Sequence, residues 1–303
     1  RIAAESSGGV PIRWEVPAVD RARGRDESVV GHSVDDPPTA VRRPRPFGPA
    51  AEEVGVPGIW VMDHLSGQVH ATRHTVHECL ACLSLVVEGT EAARVGTLAV
   101  NPASRHPVVA AQALATLADA AAGRLWVGMG AGGGPGTYGD ELAWAGLVNH
   151  SAAERRARLV ETMAVFEHVW SGRRGPHAGP AFAFSGSRGF LRPTPRPPMF
   201  VAGYGPRMAE LAAPTAGFNT VADHPELEAL INRARDRRAE LGLDEPFEIS
   251  TYAVIDDQWL DPDTPQLRRL VAAAVDTLIL VIPAPHDVGL IRSLAPPPVR
   301  SDG

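Results

Sequence analysis

The sequence predicts an α/β fold of one domain, a (β/α)8 TIM barrel spanning residues 1–303 with an irregular region over residues 1–50. Three observations predict it. A chain of 303 residues with 44% hydrophobic content can bury one large core, and that length suits a barrel. Short apolar runs recur along it, each followed by a loop and an amphipathic helical stretch, which is the rhythm of parallel strands joined by crossover helices. An open doubly wound sheet, the competing architecture, would carry a Gly-x-Gly-x-x-Gly turn between strand and helix with an acidic partner, and no such unit is present.

In chain order, the first strand falls at residues 10–16, the one plausible apolar alternation ahead of residue 58. Residues 20–49 follow, crowded with charge and proline and without periodicity, so this stretch is either partly disordered or stands in for the usual first helix. The second strand is 58–62, and Cys79 and Cys82 then sit in an apolar stretch that reads as helix. The third strand is 94–100, followed by an alanine-rich helix over 107–122 that Pro107 opens and Gly123 ends. The fourth is 125–129, and Ser151 with Glu154 makes a capping box before a helix that runs to Trp170 and closes at Gly172. Strands at 199–202, 219–222, 248–254 and 277–282 complete the set, with Pro206 and Pro225 opening helices among them and Gly242 ending the second.

Composition excludes several classes of function. A formal net charge of -6 leaves no global basic field, so nucleic acid is not an expected partner. The two cysteines lack a second pair or a histidine at zinc spacing, which reads as buried reduced thiols, no metal and a cytoplasmic setting. The most apolar stretch, 270–282, is too short to span a bilayer and holds Asp276, and no apolar signal core stands at the N-terminus, so neither membrane nor secretion is expected. Arg1 in first place points to a missing or processed start.

Sites of such barrels lie where strands end and loops begin, and four of those places are unusual here. Asp63-His64 ends the second strand; a histidine there is a residue type that can give or take a proton, with Asp63 as a candidate partner, although strand neighbours point to opposite faces. The alternative is a histidine hydrogen-bonded in a loop. Gly130, Gly132, Gly133 and Gly134 after the fourth strand let backbone approach a planar ring where any side chain would collide, or simply make a flexible loop. Gly203, Tyr204 and Gly205 precede Pro206 and Arg207 at a helix start, where free N–H groups favour an anion such as a cofactor phosphate; a Gly-Pro turn also needs no ligand.

Taken together, Asp63-His64, the Gly96-Thr97-Leu98-Ala99-Val100-Asn101-Pro102 run, Arg105-His106-Pro107, the glycine-rich turn from Gly130 and Gly203-Tyr204-Gly205-Pro206-Arg207-Met208 resemble the bacterial luciferase-like flavin-dependent oxidoreductases, over about residues 52–294. The Asn-Pro and Arg-His-Pro wording is similar to the branch that uses the deazaflavin coenzyme F420, including methylenetetrahydromethanopterin reductase. The resemblance implies a non-prolyl cis peptide at Leu98-Ala99 behind the flavin ring, with Asn101 beside it, and a homodimer. It also implies that relatives oxidising sugars or alcohols carry a glutamate where this chain has Gly133, which argues against a dehydrogenase of that type.

Three functions then compete. The first is an F420-dependent reductase that delivers hydride to a C=C or C=N bond of a small organic substrate, with His64 as proton donor. The second is an FMN-dependent monooxygenase supplied with reduced FMN by a separate reductase partner. The third is a flavin-binding barrel without catalysis.

Overall fold

Parallel strands alternating with helices organise the chain, whose computed structural model describes residues 13–18 (as backbone), 47–67, 76–134, 138–282 and 288–293. Strand β1 (Arg13–Ala18) leads through α1 (Phe47–Glu53) to β2 (Gly58–Val61), α2 (Cys79–Glu88), β3 (Arg94–Val100), α3 (Pro107–Ala120) and β4 (Leu125–Gly130). Short α4 (Asp140–Trp144) and long α5 (Ala152–Trp170) follow, then a hairpin of β5 (His177–Ala178) and β6 (Ala183–Phe184). The second half comprises β7 (Met199–Ala202), α6 (Pro206–Ala212), β8 (Gly217–Val221), α7 (Leu227–Glu240), β9 (Glu248–Val254), α8 (Pro265–Ala272), β10 (Thr277–Val281) and α9 (Val288–Ser293). The parallel sheet curls on itself in the pairing order β1-β10-β9-β8-β7-β4-β3-β2, and β1 pairs with β2 as well as β10. Every strand end on one side therefore faces a common rim.

Strand periodicity sends alternate side chains to two different cores. Outside the sheet, helix faces bury Leu83, Leu114, Leu159 and Phe166 against strand residues such as Val95 and Val127. Inside it, Trp60, Leu98, Phe200 and Ile279 pack together, with Trp60 edge-on to Phe200 at 5.3 Å between ring centroids. These rings need space on neighbouring strands. A Cβ at Gly96 would overlap the Trp60 ring, and one at Gly128 would overlap Phe200, so glycine opposite aromatic fills the interior without collision. At the opposite end from the rim, one guanidinium nitrogen of Arg94 donates to both Glu248 carboxylate oxygens at 2.8 and 2.9 Å, the guanidinium lies 4.3 Å from the Trp126 ring centre, and Glu248 also accepts from the Thr277 hydroxyl.

The structure shifts several expected boundaries. The first strand is Arg13–Ala18 rather than 10–16, of which 10–12 lie outside the described residues. Within the stretch expected to be irregular, α1 begins at Phe47: seven residues containing Gly48 and Pro49 carry too little periodicity to read, yet Phe47, Ala50 and Ala51 bury one face. Strand β8 starts at Gly217, two residues early, because the backbone of Glu248 passes so close that only glycine fits. The capping box at Ser151 and Glu154 and the helix end at Trp170 stand as expected. Cys79 and Cys82 are buried free thiols on α2, and burial pushes Cys82 up to about 11.

Candidate active site

A pocket opens at the carboxyl ends of β2, β3, β4, β7 and β9. Its wall takes in Asp63, His64, Leu98, Ala99, Asn101, Gly130, Gly132, Gly133, Gly203 and Tyr204, ten of the expected site residues brought together from four strand ends. The Leu98-Ala99 peptide is cis, where the resemblance placed it. Gly132 holds φ +69°, and a Cβ there would crowd the Asn101 side-chain amide, so this turn requires glycine twice over. Gly205 and Arg207 do not reach the wall. The chain turns outward at Gly205, the N-cap of α6, and Arg207 points to solvent on the helix's first turn.

Asp63 has a different job from the one expected. Its buried carboxylate accepts two bonds from the Arg105 guanidinium, at 2.6 and 2.8 Å, and one from the Asn101 backbone N–H at 2.8 Å. Adjacent residues on an extended chain diverge, so Asp63 turns toward β3 while His64 turns toward the pocket. Asp63 thus holds the end of β3 in place and does not pair with His64; Arg105 also bonds Glu78 at 2.5 Å.

The partner of His64 is Glu141, on α4. Its carboxylate is 3.0 Å from Nδ1 of His64 and accepts the backbone N–H groups of Leu65 at 2.6 Å and Ser66 at 3.0 Å. Burial pushes this carboxyl up, but the hydrogen bond and charge of His64 and the two N–H donors outweigh that and bring it below the ordinary carboxylate value. An ionised oxygen can only accept, so Nδ1 of His64 donates to Glu141, and in a neutral imidazole Nε2 is then the nitrogen with the lone pair. Tyr138 lies against the His64 ring, with centroids 5.1 Å apart. Across the pocket the hydroxyls of Tyr204 and Tyr252 are hydrogen-bonded to each other, and His224 donates to the Tyr204 carbonyl at 3.0 Å.

Reasoning from sequence missed Glu141, Tyr138 and Tyr252. Glu141 follows the glycine turn by a few residues, on a helix of five, so the one available signal was an acid next to a ring-binding turn. The inference drawn from Gly133 is corrected accordingly: the pocket does contain a glutamate, delivered by α4 rather than by the turn itself.

A curled parallel sheet with its pocket assembled from strand-end loops defines the class, α/β proteins whose sites sit at the carboxyl rim. Within that class the chain belongs to the luciferase-like monooxygenase family, which residues 28–257 match. It is 30% identical over 233 residues to the F420-dependent hydroxymycolic acid dehydrogenase of Mycobacterium tuberculosis, covering 75% of this chain and 63% of that protein. It is 31% identical over 184 residues to an F420-dependent glucose-6-phosphate dehydrogenase of Microbacterium testaceum, covering 60% and 53%. The fold is similar to that of an F420-dependent secondary alcohol dehydrogenase solved with an F420-acetone adduct, with a TM-score of 0.71 and 20% identity over 93% of this chain and 96% of that one. The chain spans 63% and 53% of the length of these two curated relatives. No helix of the described residues is long and apolar enough to cross a membrane.

Proposed function

We propose that this protein is an F420-dependent oxidoreductase that moves a hydride between the deazaflavin and an oxygen-bearing carbon of a small organic substrate, with His64 handling the proton. The observation that carries this reading is the His64–Glu141 pair on the wall of a pocket that also presents glycines, alanines and the Leu98-Ala99 peptide. The names of the relatives support both the cofactor and the reaction class.

The pocket residues fit a flat cofactor. Leu98, Ala99, Gly130, Gly132, Gly133 and Gly203 present backbone and small side chains, the surface against which a planar ring can lie without collision. Asn101 and Tyr204 add polar atoms at its edges, and Arg207, exposed on the rim, would meet a charged tail leaving the pocket. A bound deazaflavin supplies hydride transfer without oxygen chemistry. The protein's own part is proton movement: Nε2 of His64 takes the hydroxyl proton in oxidation and returns it in reduction. Glu141 keeps the Nδ1 proton in place and stabilises the imidazolium that forms. The same pair could protonate a C=C or C=N adduct, but a carboxylate behind an imidazole makes a base, and a hydroxyl is the substrate group that needs one.

The reading also takes the chain as one domain closed into a complete (β/α)8 barrel, supported by the parallel registers of β1 against β10 and β2. Titrating the protein with oxidised F420 and a panel of secondary alcohols, and separately with FMN under oxygen, tests the proposal. Bleaching of oxidised F420 by an alcohol is expected. His64→Ala is expected to keep F420 affinity and lose about 10²–10⁴-fold in kcat. FMN binding with oxygen uptake and no F420 binding, or full turnover by His64→Ala, would overturn it.

A further inference from the structure

A second cavity, of about 640 Å³, opens on the flank of the sheet between α3 and the chain that follows α5. It shares no wall residue with the rim pocket. Among the described residues its wall takes in three solvent-exposed arginines, Arg174, Arg188 and Arg192, together with Gln112, while Phe190 and Leu191 supply an apolar side. Among the described residues no carboxylate lines it. Elsewhere arginines of this chain find acids, as Arg94 does with Glu248, Arg105 with Asp63 and Arg269 with Glu228. Among the described residues, Arg174, Arg188 and Arg192 make no ion pair, although the protein as a whole carries an excess of acid, with a formal charge of -6.

The wall is anchored rather than loose. The Leu191 backbone N–H donates to the Gln112 side-chain oxygen at 3.1 Å, and the Ser187 hydroxyl donates to the Arg173 carbonyl. With its oxygen taken, the Gln112 amide has its NH2 group left to offer. The three guanidinium groups stand exposed on one wall, where solvent screens their mutual repulsion, and guanidinium forks match the geometry of phosphate and carboxylate oxygens.

We propose that this flank cavity binds a small, multiply charged anion, a phosphate ester or a polycarboxylate, at a site separate from the rim pocket. Isothermal titration of the full chain with pyrophosphate and, separately, with citrate tests it. Saturable binding of at least one of them at a single site is expected, weakening as salt rises. Pyrophosphate binding alone assigns a phosphorylated ligand, and citrate binding alone a carboxylate one. In Arg188→Ala/Arg192→Ala, affinity is expected to fall about tenfold or more without lowering the thermal midpoint of the anion-free protein. Arg207→Ala, at the rim, is expected to bind as the wild type does. Absence of saturable binding, unchanged affinity in the double variant, or loss in Arg207→Ala instead would overturn the proposal.

Discussion

At the scale of the residue, Glu141 shows how one carboxylate can set both a loop and a proton. It is 2% exposed, and its oxygens are taken by His64, Leu65 and Ser66. Because its folded pKa lies below the unfolded value, its contribution to stability is present at neutral pH and is lost as pH falls through the lowered folded value. Glu141→Gln removes that dependence. Urea midpoints should therefore show a gap between wild type and variant at about pH 7 that narrows by about pH 3. The same variant should lower kcat/KM about 10–100-fold while leaving F420 affinity near wild type, since the amide keeps the shape but not the charge behind the imidazole. Asp63 makes the complementary case. Asp63→Asn leaves the Arg105 guanidinium without its buried acid, which should cost about 3–5 kcal/mol in denaturant unfolding. Its F420 affinity should fall too, because the amide offers one acceptor oxygen where Arg105 and the Asn101 N–H share two, which loosens the end of β3.

At the scale of the element, local punctuation separates what could be read from what could not. Helix α5 announces itself through a capping box whose two halves both form, the Glu154 backbone N–H donating to Ser151 Oγ and the Ser151 N–H to the Glu154 carboxylate. Ser151→Ala should cost about 1 kcal/mol. A thermal midpoint lower by about 2–4 °C would show it. Helix α4 carries no comparable signal: it has five residues, no side-chain cap, and Trp144 exposed on its last turn. Its position comes from tertiary contacts, chiefly the Glu141 carboxylate gripping the loop after β2. The β5–β6 hairpin is similar, for its turn is held by the Glu161 carboxylate of α5, which accepts from the Ala181 and Phe182 N–H groups at 2.9 and 2.8 Å.

At the scale of the whole molecule, stability and chemistry occupy opposite ends of the sheet. Arg94, Glu248 and Thr277 join the first residues of β3, β9 and β10, tying together strands that are not all neighbours in the pairing order. The rim pocket stands at the other end of those same strands. Arg94→Ala should therefore lower unfolding stability by about 2–3 kcal/mol, leaving Glu248 with the Thr277 hydroxyl but no cation. Turnover of the folded variant should match wild type. A loss of activity without a loss of stability would contradict this division.

From sequence alone came the alternation of strands and helices, the proline start of α3, the capping box of α5, and most of the pocket wall, because periodicity, capping and glycine turns are local properties written over a few adjacent residues. Only the tertiary structure decided which acid serves His64 and which guanidinium claims Asp63. Glu141 lies 77 residues from its histidine in the chain, and Arg105 lies 42 from its aspartate. Pairings over such separations depend on how strands close side by side and on where the intervening loops turn, and no local pattern encodes either.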